Sequence, residues 1–320
     1  MLPIVIVLLL YTITQGSSID GSNTSRWIQI PVIGVTFQSS TLASVVLMIY
    51  VARYLTKIAE KTVTFKETIL PLWMPVFLVL ILILPANFST TAIIFTMVMI
   101  LVFLGGYPLK YIGIIIGAGL LVLSLFVLTA KAFPGLLPNR VDTWTSRIVN
   151  FADGKDSEAD YQIEKAKIAI ARGGIVGVGI GKSVQRNFLP QSSSDFIYAI
   201  IVEEMGLIGG FVVMSAYLML LFRLVIVATK ANSVFGTLVV VGVGLPIVFQ
   251  ALVNMAVAVE FFPVTGQTLP LISSGGTSIW MTCLAIGIVL SVSSEREDLK
   301  LSEEKEHEQE NPLDILSEAI

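Results

Sequence analysis

Cysteine and histidine are almost missing from this chain: Cys283 is its one cysteine and His307 its one histidine. That scarcity excludes an internal disulfide, a zinc site built from Cys and His, and a Ser-His-Asp triad. Any proton transfer must fall to carboxylates, Lys or Tyr. Charge is scarce as well. Only 13% of the 320 residues are charged against 55% hydrophobic, and the mean hydropathy of +0.85 lies far above that of a soluble globular domain. The composition is that of an integral membrane protein. The apolar runs are continuous and lack the alternation of a barrel, so the spans are helical.

A helix needs about 20 residues to cross a hydrocarbon core of roughly 30 Å. Runs of this kind predict spans near 37–56, 69–86, 89–107, 111–133, 198–229, 235–260 and 277–294. Residues 1–14, MLPIVIVLLLYTIT, are apolar but short; they lack a basic leader and a small-residue cleavage site, and so read as a clipped span rather than a signal peptide. The expected fold is all-α and polytopic, with about eight transmembrane helices in one membrane domain over 1–294. Arg53, Lys57, Lys61, Lys66, Lys110, Arg223 and Lys230 lie in or beside short loops and mark the cytoplasmic side. The loop at 261–276 has no Lys or Arg and belongs outside. This sends the acidic tail at 295–320 to the cytoplasm, where it reads as solvated and disordered.

The same alternation makes 134–197 one large extracytoplasmic loop. It holds Arg140, Arg147, Lys155, Lys165, Lys167, Arg172, Lys182 and Arg186, which invite an anionic ligand; the other reading is ordinary solvation, balanced by Asp142, Asp153, Asp156, Glu158, Asp160 and Glu164. Within it, YQIEKAKIAIARGG (161–174) predicts an amphipathic helix with a glycine stop, lying along the membrane surface or over a cavity. The following GGIVGVGIGKS (173–183) resembles a phosphate loop, but the pattern requires glycine where Val176 stands. No nucleotide, haem or nucleic acid is expected, and the glycines read as close-packed backbone.

Carboxylates near the membrane are few: Asp195, Glu203, Glu204 and Glu260. Ionisable groups at that depth are costly and tend to be functional. Glu203 and Glu204 point about 100° apart on a helix and cannot both face one cavity. Asp195 ends SSSD just before an apolar helix, so it reads either as an N-cap or as a working carboxylate.

Two long runs carry a resemblance. GGIVGVGIGKSVQRNFLPQSSSDFIYAIIVEEMGLIGG (173–210) and FFPVTGQTLPLISSGGTS (261–278) are similar to the two hallmarks of the FtsW/RodA family, and Ser25-Arg26-Trp27-Ile28 with Phe37-Gln38 resembles a third, weaker one. The wording of 185–206 and of TGQTLPLISSGG is closer to the cell-division branch than to the elongation branch. The resemblance implies a peptidoglycan glycosyltransferase of the bacterial cytoplasmic membrane, polymerising lipid II on the outer face at the division septum. It implies Asp195 as general base in an inverting displacement of undecaprenyl pyrophosphate, with Arg26, Lys182, Gln185, Arg186, Glu204, Thr265, Ser273, Ser274, Gly275 and Gly276 at the substrate. It implies as well a divalent cation, Mg2+ or Mn2+, a class B penicillin-binding transpeptidase partner and other divisome proteins. For the second run a tight packing corner is as good a reading as substrate contact. A lipid II flippase and a noncatalytic divisome scaffold are the alternative functions.

The chain departs from the family in three places. The family's Glu after Gln-Pro-Ser is Thr41, a following lysine is Ser44, and an acid in the next turn is Asn87. Family members have ten spans, and this chain opens within what corresponds to the third, which points to a truncated start or a misassigned initiator methionine.

Overall fold

The computed structural model describes residues 1–16, 28–29, 36–59, 61, 63–132, 158–189, 192–274 and 276–309. They form a helical bundle whose elements follow the apolar runs. Helix α1 is Leu2–Gln15; α2 is Ser39–Ile58; α3, Phe65–Thr68, continues through a π turn at Ile69–Trp73 into α4, Met74–Ile83; α5 is Phe88–Leu104 and α6 is Leu109–Ala132. Then come α7, Glu158–Gly173; α8, Ile197–Thr229; α9, Val234–Ala258; and α10, Gly276–Gln309. Strand structure among the described residues is limited to β1, Ile28–Gln29, paired antiparallel with β2, Thr36–Phe37.

Each boundary agrees with its predicted span to within a few residues, except at the end of the chain. There α10 runs to Gln309, so 295–309 is helical where an unstructured tail was expected. Residues 294–309 are rich in Glu, Lys and Leu, strong helix formers with opposite charges at helical spacing, and these extend a span that has already nucleated. Residues 310–320 lie outside the described residues.

Among the described residues, five helical stretches are long and apolar enough to cross a membrane: Ser39–Ile58, Phe65–Ile83, Ile197–Thr229, Val234–Ala258 and Ser278–Glu295. Leu2–Gln15, Phe88–Leu104 and Leu109–Leu121 are shorter apolar helices. The core sits where α2, α5 and α9 meet, around Leu47, Met48, Val51, Val98, Leu101, Val240 and Val243. Pro71 cannot donate a helical hydrogen bond, and the wider π turn of the α3–α4 span falls around it.

The expected amphipathic helix is α7, and it packs inward. Ile163, Ala166 and Ala169 bury against Phe196, Ala199 and Ile200 of the α8 entrance and Val257 and Ala258 of α9. Outside this face, Lys167 pairs with Glu260 at the end of α9.

Helix α8 is broken. Gly206 adopts φ 72°, ψ −173°, which interrupts the ladder. At membrane depth the freed backbone groups need partners inside the protein, and the glycine-rich segment after α7 supplies them. Val178 N donates to Glu203 O at 3.0 Å, Gly179 N to Glu204 O at 2.9 Å, and Leu207 N to Gly174 O at 2.9 Å. The approach is so close that a Cβ on Gly206 would stand 2.1 Å from Ile175 O, and one on Gly177 2.2 Å from Glu204 O. The glycines are close-packed backbone, as the sequence suggested.

Gly206→Ala is therefore expected to cost about 3 kcal/mol through its positive φ and the backbone clash. Gly117, in α6, has nothing within 4 Å of a built Cβ, so Gly117→Ala should be neutral or stabilising by up to about 1 kcal/mol. Thermal melting of the two variants in detergent checks the contrast.

Candidate active site

The two sequence runs that flank α8 and α9 meet at one end of the bundle. Asp195 lies one residue before the N-cap of α8, which is Phe196, and the turn it belongs to is anchored by that almost fully buried ring. The helix thus opens one residue later than the capping reading requires. The Asp195 carboxylate stands against the second run: its Oδ2 is 3.5 Å from where a Cβ on Gly266 would sit. Gly266 has φ +64°, a left-handed conformation suited to glycine, and so brings bare backbone up to the acid.

Hydrogen bonds lace the runs together. Asn254, buried in α9, donates from Nδ2 to both Asp195 O and Gln267 O at 2.7 Å. Ser273 Oγ donates to Ser194 O at 2.6 Å and accepts from Leu269 N at 2.7 Å. Ser274 gives both its N, at 2.9 Å, and its Oγ, at 3.1 Å, to Ser193 O. Tyr217 of α8 donates to Pro270 O, and Gln267 Nε2 donates to Thr90 Oγ1 of α5 at 3.1 Å. The second run is thus both a packing corner and the wall beside Asp195.

A second polar cluster centres on Glu203. Its side chain is fully buried, and its carboxylate accepts from Ser183 Oγ, Val184 N at 3.2 Å, Gln185 N at 3.3 Å and Arg172 Nη1 at 3.4 Å. A buried charge is tolerated when it is paired and hydrogen-bonded in this way. Glu203 thereby fixes the turn that carries Lys182, Gln185 and Arg186. Arg186 N also donates to Ser183 Oγ at 3.1 Å, and Lys182 folds back over Gly179.

The sequence-predicted residues therefore divide into groups. Asp195, Thr265, Ser273 and Ser274 belong to the laced junction, and Lys182, Gln185 and Arg186 to the Glu203 turn. Glu204 is partly exposed on the face turned away from its neighbour and enters the pairing through its backbone carbonyl. Gly276 opens α10. Arg26 and Gly275 lie outside the described residues, as do Arg140, Arg147 and Lys155. Two buried polar atoms of the predicted set, Gln185 Oε1 and Thr265 Oγ1, have no hydrogen-bond partner among the described residues. Sequence reading missed Asn254 and Gln267 altogether and left Glu203 without a role; a lone Asn in a 25-residue apolar helix was the available signal.

Beside the Pro270 end of the second run a half-open cleft lies between α2, α9 and α10, with Thr41, Ser44, Gln250, Pro270, Ser278 and Thr282 among its walls. Its polar groups are neutral. Asn87, the other departure, caps α5 by accepting from Thr90 N at 3.1 Å. No group of three or more His, Cys, Asp or Glu side chains comes together among the described residues, so they build no protein cage for Mg2+ or Mn2+.

Comparison with known proteins matches residues 1–298 to the family model FTSW_RODA_SPOVE, described as "Cell cycle protein". A probable peptidoglycan glycosyltransferase FtsW of Nitrosococcus halophilus is 32% identical over 292 residues, covering 90% of this chain and 73% of that one. Its counterpart in Marinobacter nauticus is 34% identical, covering 92% and 71%. Among solved structures, a peptidoglycan synthase complex, described as coordinating polymerization and crosslinking, superposes with a TM-score of 0.71 at 26% identity, covering 92% of this chain and 80% of that one. The rod shape determining protein RodA of Thermus thermophilus superposes with a TM-score of 0.63 at 22% identity, covering 92% and 76%, a likeness of fold.

Asn254→Ala leaves two buried carbonyls without their donor. The expected cost is about 2 kcal/mol, with faster hydrogen exchange at 193–196 and 265–270 and little change in the α2–α5 core, as mass-resolved exchange in detergent would show.

Proposed function

We propose, from the premise that the chain belongs to the FtsW/RodA family and is a membrane-embedded peptidoglycan glycosyltransferase, that Asp195 is its general base and that lipid II is its substrate. The observation that carries this reading is the junction itself. The two family hallmarks converge on one carboxylate, held by a backbone turn that Asn254, Ser273 and Ser274 fix from three sides.

In the reaction, the 4-hydroxyl oxygen of the acceptor sugar attacks the anomeric carbon of the donor. Its proton passes to an Asp195 carboxylate oxygen, and the bond from the anomeric carbon to the pyrophosphate oxygen breaks with its electron pair. Undecaprenyl pyrophosphate leaves and the anomeric centre inverts. A positioned base of this kind contributes typically 10²–10⁴-fold. The leaving group carries the largest charge in the system, and Lys182 and Arg186, presented on the turn that Glu203 holds, supply the compensating positive field. Gln185 Oε1 and Thr265 Oγ1 offer hydrogen bonds to the sugars. A divalent cation, Mg2+ or Mn2+, would be held mainly by the pyrophosphate oxygens of the substrate and would add Lewis-acid stabilisation to the leaving group.

The reading extends to place and partner. With Arg53, Lys57, Lys61, Lys66 and Lys230 on the cytoplasmic side, the Asp195 junction faces outward from the bacterial cytoplasmic membrane. The similarity to a synthase complex that couples polymerization to crosslinking supports a transpeptidase of the class B penicillin-binding type as partner. The resemblance to the cell-division branch supports work at the septum with other divisome proteins.

Asp195→Asn should melt within a few degrees of the parent and retain lipid II binding, while polymerisation of labelled lipid II in detergent with the co-purified transpeptidase falls by at least about 10²-fold. Detergent removes the second leaflet, so glycan formed there reports polymerisation and not transport. A variant that polymerises at the parental rate overturns the assignment of the base.

A further inference from the structure

Segment 174–188 carries apolar side chains that the protein leaves uncovered. Ile175 is 68% exposed, Val176 75%, Ile180 80% and Phe188 53%. Lys182 and Arg186, both exposed, are interspersed with them. Large apolar side chains exposed close together along one short segment point to a contact with a membrane or a protein.

The segment is also fixed in height. Four backbone hydrogen bonds tie 174–179 to 203–208 of α8: Val178 N to Glu203 O, Gly179 N to Glu204 O, Leu207 N to Gly174 O and Ile208 N to Ile175 O. Helix α8 ends at Thr229, with Lys230 following. Ile208 lies 21 residues from Thr229, about 32 Å along the axis at 1.5 Å per residue. A hydrocarbon core is roughly 30 Å thick. Ile175 and Val176 therefore sit at the edge of the hydrocarbon, level with Leu207, Ile208 and Phe211, the exposed apolar side chains of the spanning helix. Phe261 and Phe262, exposed at the end of α9, lie at the same end of the bundle, where membrane proteins collect aromatic residues.

We infer that 174–188 is a membrane-seated strap, whose Ile175, Val176, Ile180 and Phe188 enter the boundary between headgroups and acyl chains on the Asp195 side. The surface it meets is the phospholipid leaflet, because the strap is hydrogen-bonded to α8 where the exposed Leu207 and Ile208 begin its apolar face, and carries cations between its apolar side chains. Apolar residues that dip below a row of Lys and Arg are the pattern of interfacial segments. The strap holds Lys182 and Arg186 at the plane of the headgroup phosphates, the depth at which a lipid-borne pyrophosphate lies. The inference rests on α8 being a span and deepens the reading of Lys182 and Arg186 as leaving-group contacts.

The test uses the full chain with Cys283→Ser, which removes the one exposed cysteine, and one environment-sensitive fluorophore at Ile180→Cys. The protein is placed in phosphatidylethanolamine–phosphatidylglycerol proteoliposomes. Ile208→Cys serves as the lipid-facing reference and Lys61→Cys as the aqueous one. Seating predicts that a shallow acyl-chain spin label quenches the Ile180 probe roughly twofold or more, a deep label quenches it less, and aqueous iodide quenches it far less than at Lys61. Iodide quenching equal to that at Lys61 overturns the strap. Shielding from both iodide and lipid quenchers also overturns it, in favour of a protein contact. Loss of lipid quenching at Ile208 would overturn the span and the strap together, whereas the polymerisation assay of Asp195→Asn reads the catalytic assignment independently of this result.

Discussion

Backbone polar groups at membrane depth must be satisfied inside the protein, and the site end of this bundle follows from that constraint. A continuous helix meets it automatically. Two stretches here are not continuous helix: the break of α8 at Gly206, and the irregular run that joins α9 to α10. The first is filled by the backbone of 174–179, and only glycines at 177 and 206 allow the chains to come close enough. The second is filled by side chains, with Asn254, Ser273 and Ser274 bonded to carbonyls on either side of the gap. Asp195 owes its position to the second solution and the cationic turn owes its position to the first.

The polar groups that do this positioning are mostly neutral, and the exception is instructive. Asn254 and Ser273 organise backbone through donor hydrogens that each find a carbonyl, although the Asn254 Oδ1 is buried without a hydrogen-bond partner among the described residues. Glu203 is a buried carboxylate, and it is satisfied by four donors from two segments, Arg172 of α7 and the turn at 183–185. Removing one partner of such a set exposes the rest to an unpaired buried charge, which is the costly case. The Lys167–Glu260 pair outside the bundle is different. Both side chains are about half exposed, so the pair adds little energy and serves mainly to register α7 over the end of α9.

Much of this was legible in the sequence, and the parts that were not share a cause. Continuous apolar runs of about 20 residues fix spans because hydrocarbon thickness is fixed, so α2, α8 and α9 were readable to within a few residues. The glycines of 173–181 announced close backbone packing, yet nothing local names the partner, the broken segment 203–208 of α8. Asp195 stood out as a carboxylate beside an apolar run, but capping and catalysis look alike at that level. Asn254 and Gln267 were invisible for the opposite reason. Each is one polar residue whose importance lies in which two carbonyls it meets, and those carbonyls are brought near only by the fold. The tail misled because its charge was weighed more than its helix propensity, and the span before it supplied the nucleus.

The departures at Thr41, Ser44 and Asn87 now have a physical setting. In a cavity that reaches into the bundle, an acid needs a cation or several donors to remain ionised, and an isolated one is neutralised or excluded. Thr41 and Ser44 ask for neither, and Asn87 is satisfied locally by capping α5. With Thr41 and Ser44 in place of an acid and a lysine, the described walls of the cavity are neutral. The consequence for chemistry is a division of labour. Neutral amides and hydroxyls shape the space, while on the proposed mechanism the charge that moves during glycosyl transfer is met at two places: the Asp195 carboxylate, which takes the proton, and the turn carrying Lys182 and Arg186, which faces the departing anion. Because one is fixed through Asn254 and the other through Glu203, and α8 joins the two, the geometry between Asp195 and the cationic turn is set by the stiffness of the roughly three turns of helix between Asp195 and Gly206 and by the glycine-rich segment that braces it.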